Sequence, residues 1–162
     1  DVNGILYFNA FTPNEGTELW KSDGTTGGTV RVMDIEAGKG SSHPNYMLDM
    51  NGTLLFTPTE SQYGDELWKT DGTANGTTLV KDIFQGTEDA DIAQPVNAGG
   101  TLYFIADNGI NGAELWKSDG TDTGSSMVKD INPGSGDAQI DFLTASGNKV
   151  YFIADDGSGL EL

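Results

Sequence analysis

Acidic side chains cluster in three loops of the sequence, where they could hold a metal ion. The loops are Glu88-Asp89-Ala90-Asp91, Asp107-Asn108-Gly109 and Asp155-Asp156-Gly157. Carboxylates in flexible loops suit Ca²⁺, which takes about six to eight oxygen ligands. Solvation of an acidic surface explains the same clusters. The calcium candidates are Glu88, Asp89, Asp91, Asp107, Asp155 and Asp156.

The same residue types could support hydrolysis of a glycosidic bond. Two carboxylates act as acid and base in glycosidases, but a chain with 25 Asp and Glu residues brings some pair together in any fold. His43, the single histidine, stands beside Ser41 and Ser42. A catalytic triad depends on geometry rather than on adjacency. We therefore interpret His43 as a solvated loop residue and assign no catalytic residue from the sequence.

Composition narrows the range of partners. Eight basic residues against 25 acidic ones give a formal net charge of −17, which repels phosphate backbones and anionic lipid headgroups. The sequence contains no cysteine, which excludes disulfides, zinc knuckles and thiol nucleophiles. No apolar run approaches the roughly 18 residues of a membrane span. We therefore expect no nucleic-acid partner and no membrane insertion.

A block of eight residues recurs at a spacing of 48 residues. The segment 18–25 reads Glu-Leu-Trp-Lys-Ser-Asp-Gly-Thr and returns at 66–73 and 114–121 with one Ser-to-Thr exchange. A Val-x-Asp-Ile block follows each copy, and an aromatic block such as Leu6-Tyr7-Phe8 occurs four times. We therefore interpret residues 1–162 as one repeat domain. Its parts are a partial repeat at 1–17, full repeats at 18–65, 66–113 and 114–160, and a repeat start at 161–162.

Each repeat predicts four short β-strands and no helix. The aromatic, Glu-Leu-Trp and Val-x-Asp-Ile runs alternate with glycine-rich turns, and a weaker strand such as 140–144 follows. Four antiparallel strands per 40–50 residues, roughly, are typical of a β-propeller blade. A parallel β-helix usually has shorter rungs, and a β-sandwich needs about 100 residues per unit. The sequence therefore predicts an all-β chain of propeller blades within a larger ring or an oligomeric ring.

The residues that recur in every repeat are predicted to be structural. A catalytic residue is needed once, whereas a turn-capping aspartate is needed in every blade. The tryptophans could stack on sugars, but their place in a core strand predicts packing between blades. The aspartates are Asp23, Asp71, Asp119, Asp34, Asp82 and Asp130, and the tryptophans are Trp20, Trp68 and Trp116.

The motif Glu-Leu-Trp-x-x-Asp-Gly-Thr, followed by Gly-Thr and Val-Lys-Asp-Ile, resembles the bacterial family named after its ELWxxDGT repeat. The match covers nearly the whole chain, although the first repeat has Val32-Met33-Asp34-Ile35 at the last block. The resemblance implies a large secreted or surface-exposed bacterial protein with propeller-like repeat domains. It supplies no catalytic residue.

Three full repeats are fewer than the roughly four to eight blades of a propeller. We therefore expect other copies of the chain, or further repeats, to complete the ring; two copies that exchange their terminal strands would form six blades. For function we expect a non-enzymatic extracellular or cell-surface module with a structural, adhesive, or protein- or glycan-interaction role. The only cofactor candidate is Ca²⁺. The alternatives are a carbohydrate-active hydrolase or lyase and a multivalent lectin-like propeller.

Overall fold

The computed structural model describes residues 1–161, which form short β-strands and no helix. In particular, these residues contain no helix of the length and hydrophobicity that crossing a membrane requires. The strands are β1 (Leu6–Thr12), β2 (Gly16–Ser22), β3 (Val30–Arg31), β4 (Asn45–Met50), β5 (Thr53–Thr57), β6 (Thr59–Glu60), β7 (Gly64–Asp65), β8 (Leu67–Thr70), β9 (Thr78–Lys81), β10 (Ala93–Ala98), β11 (Thr101–Asp107), β12 (Ala113–Ser118), β13 (Ser126–Lys129), β14 (Asp141–Ser146), β15 (Lys149–Asp155) and β16 (Leu160–Glu161). Residue 162, the end of the repeat start predicted at 161–162, lies outside the described residues.

The strands form antiparallel meanders, which confirms the all-β prediction. The second and third sheets have the order β4-β5-β8-β9 and β10-β11-β12-β13, and the first and last are three-stranded, β1-β2-β3 and β14-β15-β16. Strands β6 and β7 form a separate short hairpin. The weak strand of each repeat (β4, β10 or β14) pairs with the aromatic strand that follows it. Each sheet therefore joins the end of one repeat to the start of the next, and strand pairing alone does not establish a closed ring.

A bulge interrupts the weak strand at the same position of each repeat. The pairing register shifts there in β4, β10 and β14. The residue within the bulge is Tyr46, Gln94 or Phe142, with φ of 49°, 49° and 56°. This left-handed conformation is uncommon for large side chains, and a bulge re-aims the side chains that follow it. The alternation of apolar and polar residues is therefore lost, which explains why the sequence shows this strand only weakly.

The hydrophobic core lies between consecutive sheets. Leu19 of the first sheet, with Val32 and Ile35 in the segment that follows β3, shares one buried cluster with Phe56 and Trp68 of the second sheet. The corresponding cluster between the second and third sheets contains Leu67, Val80, Ile83, Phe104 and Trp116. Because the exposed fractions of Trp68 and Trp116 are only 7% and 6%, the prediction that the tryptophans pack between neighbouring repeat units is confirmed for these two.

A buried residue ties each sheet to the next through its backbone. The Ala90 N–H donates to the Asp65 carbonyl at 3.2 Å, and the Ala90 carbonyl accepts from the Asp107 N–H at 2.9 Å. Ser42 and Ala138 make the same pair of bonds in their repeats. The three residues are fully buried. We call them the crossing residues, because the chain passes there from one sheet to the next.

The loop that contains the crossing residue Ala90 passes so close to Gly64 that a side chain at this position would clash with it. A methyl group on Gly64 would lie 2.5 Å from the Glu88 carbonyl oxygen, and Gly64 has φ +71°. We expect Gly64→Ala to lower the free energy of unfolding by more than about 2 kcal/mol. Gly24 has φ +87° and no atom within 4 Å of such a methyl, so the control Gly24→Ala should cost only about 1 kcal/mol. Denaturant unfolding measures both losses, and equal losses would contradict the steric explanation.

Candidate functional site

Hydrogen bonds within the Asp-Gly-Thr turns hold the first set of recurrent aspartates. Asp71 Oδ1 accepts from the Thr73 hydroxyl at 2.7 Å and from the Thr73 N–H at 2.8 Å. The hydroxyl and the amide of Thr73 lower the pKa of Asp71 below its ordinary value. Asp23 and Asp119 make the same bonds to their own threonines. The prediction that these aspartates cap their turns is confirmed.

Two members of the second set of recurrent aspartates, Asp34 beside the first sheet and Asp130 beside the third, bind nearby loop or strand residues. Asp34 accepts from the Gly38 N–H at 3.3 Å and forms an ion pair of 2.8 Å with Arg31. Asp130 accepts from the Asn111 side-chain amide at 2.9 Å. These contacts support the structural interpretation of Asp34 and Asp130.

The glutamate of each Glu-Leu-Trp block is fully buried, a feature that the sequence interpretation missed. Glu66 Oε2 accepts from the Ile83 N–H and Glu66 Oε1 from the Phe84 N–H, both at 2.8 Å. Glu18 and Glu114 bind the equivalent amides of their own repeats. A signal was present, because a glutamate recurs directly before Leu-Trp in all three repeats.

Burial raises the pKa of these glutamates. The pKa of Glu66 is raised to about 8, mainly because desolvation disfavours its charged form, and burial also raises the pKa of Glu18 and Glu114. Carboxyl groups with raised pKa values occur at active sites, but these three side chains have no exposed surface. Their oxygens already bind backbone amides. We therefore assign them a role in holding the fold.

The calcium candidates lie apart or are bound by their own backbone. Asp89 accepts from the Asp65 N–H at 2.9 Å, Asp107 from the Gly109 N–H at 2.8 Å, and Asp155 from the Gly157 N–H at 2.8 Å. Within residues 1–161, no three His, Cys, Asp or Glu side chains come together in a way that could hold a metal ion. Calcium binding therefore stays a prediction of the sequence. Of the remaining candidates, Asp156 accepts from Ser158, while Glu88 and Asp91 are exposed.

Asp89 also has a structural counterpart in the other repeats. Asp137 accepts from the Ala113 N–H at 2.9 Å, and the Ser41 hydroxyl accepts from the Thr17 N–H at the same distance. These contacts match the bond from Asp65 to Asp89. One member of the acidic cluster 88–91 is therefore part of the repeating framework rather than a feature of a single loop.

A polar pocket lies between the turns of the second and third sheets. Its volume is about 470 Å³. Lys69 lies at its side and donates from Nζ to the Gly120 carbonyl at 2.9 Å. We call it the Leu55 pocket; its lining includes Met50, Leu55, Lys69, Asp71, Asn75, Asp119 and Thr121.

The pocket is open because one repeat departs from the aromatic pattern. Leu55 stands where the other three aromatic blocks have Tyr7, Tyr103 and Tyr151. Between the first and second sheets, the Tyr7 hydroxyl lies directly against Gly72. At the equivalent Gly120, a methyl group on the glycine would have Leu55 Cδ2 as its nearest neighbour, at 3.9 Å. The shorter leucine therefore leaves space that a tyrosine ring occupies in the preceding repeat.

Comparison with known proteins finds no relative whose function could be compared with this site. No protein-family profile, no characterised protein and no solved structure matches the chain. The resemblance to the ELWxxDGT-repeat family therefore stands on the repeated motif alone.

The buried glutamates make stability depend on pH. Because the folded pKa of Glu66 is about 8 and the ordinary value is 4.5, the folded state keeps a proton that the unfolded state releases in this interval. The contribution of Glu66 is therefore complete below pH 4.5 and lost as the pH rises towards 8. We expect Glu66→Gln to reduce this decline in the free energy of unfolding, measured by urea titrations across the interval.

Two further comparisons test this assignment. Glu66→Gln should also cost about 1–3 kcal/mol at low pH, since its side-chain amide faces two backbone N–H donors and cannot satisfy both. Glu88→Gln removes a charge from an exposed loop residue and serves as the control. If Glu66→Gln and the original protein showed the same dependence on pH, the assignment to Glu66 would be wrong.

Proposed function

We propose that the protein is a non-catalytic β-propeller module of a bacterial extracellular or cell-surface protein. Identical contacts between successive sheets support the propeller arrangement. Lys21 Nζ donates to the Gly72 carbonyl at 2.7 Å, and Lys69 Nζ donates to the Gly120 carbonyl at 2.9 Å. The first strands of successive sheets also touch, β4 with β10 and β10 with β14. Sheets that meet along their first strands and pack face to face have the relationship of blades around an axis.

The ring is completed by other copies of the chain or by further repeats. This is supported by the strands of residues 1–161, because two four-stranded and two three-stranded sheets fall short of even about four complete four-stranded blades. The loops between strands then present variable residues on a rigid scaffold. The high negative charge keeps a protein with free strand edges soluble.

The Leu55 pocket is the proposed ligand site, and a saccharide is the proposed ligand class. Asp71, Asn75 and Asp119 offer hydrogen-bonding groups to sugar hydroxyls, while Met50 and Leu55 provide an apolar wall. Pockets that combine an apolar surface with a few polar groups are the usual form of small-molecule sites. The observation that carries this proposal is that position 55 is a leucine, whereas the other three aromatic blocks have a tyrosine there. It favours one site in this part of the chain over equal sites between every pair of blades.

Binding without hydrolysis is the form of this function that the electrostatics favour. A glycosidase needs a carboxyl group that keeps its proton near neutral pH. The two carboxyl groups in the Leu55 pocket have the opposite property, because their turn threonines lower the pKa of Asp71 and of Asp119. Neither is suited to act as the general acid.

Filling the Leu55 pocket tests this function directly. We expect a glycan array to identify saccharides that bind the protein, and Leu55→Tyr to weaken that binding by at least about tenfold because the ring occupies the space. The other aromatic blocks carry tyrosine at this position, so the variant should fold normally, and Leu55→Met is the control that leaves the pocket open. Incubation with the bound saccharides should release no product. Equal binding by Leu55→Tyr, or no binding on the array, would overturn the proposal.

A further inference from the structure

The closed interface between the first and second sheets indicates which chemical group the Leu55 pocket can receive. In that interface the Tyr7 hydroxyl lies directly against Gly72. One repeat of 48 residues further along the chain, the equivalent residues are Leu55 and Gly120, and both line the pocket. A ligand in the Leu55 pocket therefore occupies the place that the tyrosine ring and its hydroxyl fill in the preceding interface.

The place of this hydroxyl has a negative electrostatic potential. Burial raises the pKa of Tyr7 above its ordinary value, and the Asp71 carboxylate raises it further. A carboxylate has this effect because it disfavours a second negative charge close to it. Asp119 is the equivalent of Asp71 in the next repeat and lines the Leu55 pocket. A ligand group beside Asp119 is therefore favoured when it donates hydrogen bonds or carries positive charge, and an anionic group is disfavoured.

The two carboxylates of the pocket each have an oxygen that a ligand can use. Asp71 and Asp119 accept the bonds of their own turns through Oδ1. The hydrogen bonds of residues 1–161 leave Oδ2 of both side chains without a donor, and both residues are exposed. Because the turn threonines lower the pKa of both carboxyl groups, the two side chains are ionised at neutral pH.

Lys69 does not reverse the negative potential of the pocket. Its Nζ already donates to the Gly120 carbonyl. Lys21 makes the equivalent bond to Gly72 in the closed interface, where Asp71 nevertheless raises the pKa of the neighbouring tyrosine. The formal net charge of −17 adds a field that attracts cations to the protein and repels anions.

The donor set of the pocket suits an ammonium group better than a calcium ion. Ca²⁺ takes about six to eight oxygen ligands, and in the described part of the chain no three His, Cys, Asp or Glu side chains are placed to hold a metal ion. An ammonium group needs fewer acceptors, because it has three N–H donors. Asp119 Oδ2 and the hydroxyls of Thr53 and Thr78, which also line the pocket, can supply them.

We propose that the saccharide bound in the Leu55 pocket carries a protonated amino group, which binds Asp119. This inference rests on the saccharide function proposed above and specifies its ligand class as amino sugars with a free amine, rather than N-acetylated, neutral or acidic sugars. Hydrogen bonds between charged groups are roughly twice as strong as those between neutral groups. The amino group therefore provides the selectivity, while Met50 and Leu55 contact the apolar face of the sugar ring.

Matched saccharides test the ligand class. The panel consists of oligosaccharides of glucosamine and galactosamine with free amines, their N-acetylated forms, the corresponding neutral oligosaccharides, and oligosaccharides of uronic acids. We expect the free-amine forms to bind at least about tenfold more tightly than the N-acetylated and neutral forms, because hydrogen bonds to charged groups are the stronger ones. Uronic acids should not bind. Equal or tighter binding of the N-acetylated or neutral forms would overturn the inference.

Asp119→Asn separates binding in the pocket from a general attraction of cations to an acidic protein. Asparagine removes the charge but keeps an oxygen that can accept both bonds from Thr121, so the turn should be retained. We expect this variant to bind the free-amine forms at least about tenfold more weakly. The control Asp23→Asn removes the same charge from the equivalent turn of the first repeat, outside the pocket, and should bind like the original protein. Equal binding by the two variants would contradict the assignment to Asp119.

The same panel separates this inference from the proposed function. If neutral or N-acetylated saccharides bind best and Leu55→Tyr prevents their binding, the saccharide site stands and only the amino-group assignment is overturned. If no saccharide on the panel binds, the proposed function is overturned and this inference with it.

Discussion

The rest of the structure depends on one buried carboxyl group in each repeat. Removing a polar group from water is costly unless hydrogen bonds replace the lost hydration. Glu66 meets this requirement with the amides of Ile83 and Phe84, which follow it by 17 and 18 residues. The bonds fix the loop that leaves the sheet, and that loop then leads to the crossing residue Ala90. A hydrogen bond inside one sheet therefore determines where the next sheet begins.

The crossing explains three of the 23 glycines. Gly16, Gly64 and Gly112 precede the Glu-Leu-Trp blocks with φ of 68°, 71° and 70°, and each lies against the backbone of the loop that crosses to the next sheet. A side chain at these positions would separate the loop from the strand and lengthen the two bonds of the crossing residue. Glycine thus serves a defined role once per repeat, in addition to its role in the Asp-Gly-Thr turns.

The features that depend on local chemistry could be predicted from the sequence. The Asp-Gly-Thr turns were predictable because an aspartate and a glycine at fixed spacing determine a turn on their own, and the packing of Trp68 and Trp116 followed from their recurrence in a core strand. The recurrence of the glutamates is visible in the sequence, but their buried role was not predicted, because their partners are backbone amides that no sequence pattern distinguishes. The bulge in the weak strand was equally hidden, since Tyr46, Gln94 and Phe142 share no side-chain property that would indicate a left-handed backbone.

Repetition in this protein separates what holds the fold from what can bind. Contacts that recur at every repeat are occupied by the framework, so a binding surface arises where a repeat lacks a group that its neighbours have. The Leu55 pocket lies beside the Asp-Gly-Thr turns of the second and third sheets, and the group that is missing there is the tyrosine ring that the other aromatic blocks carry.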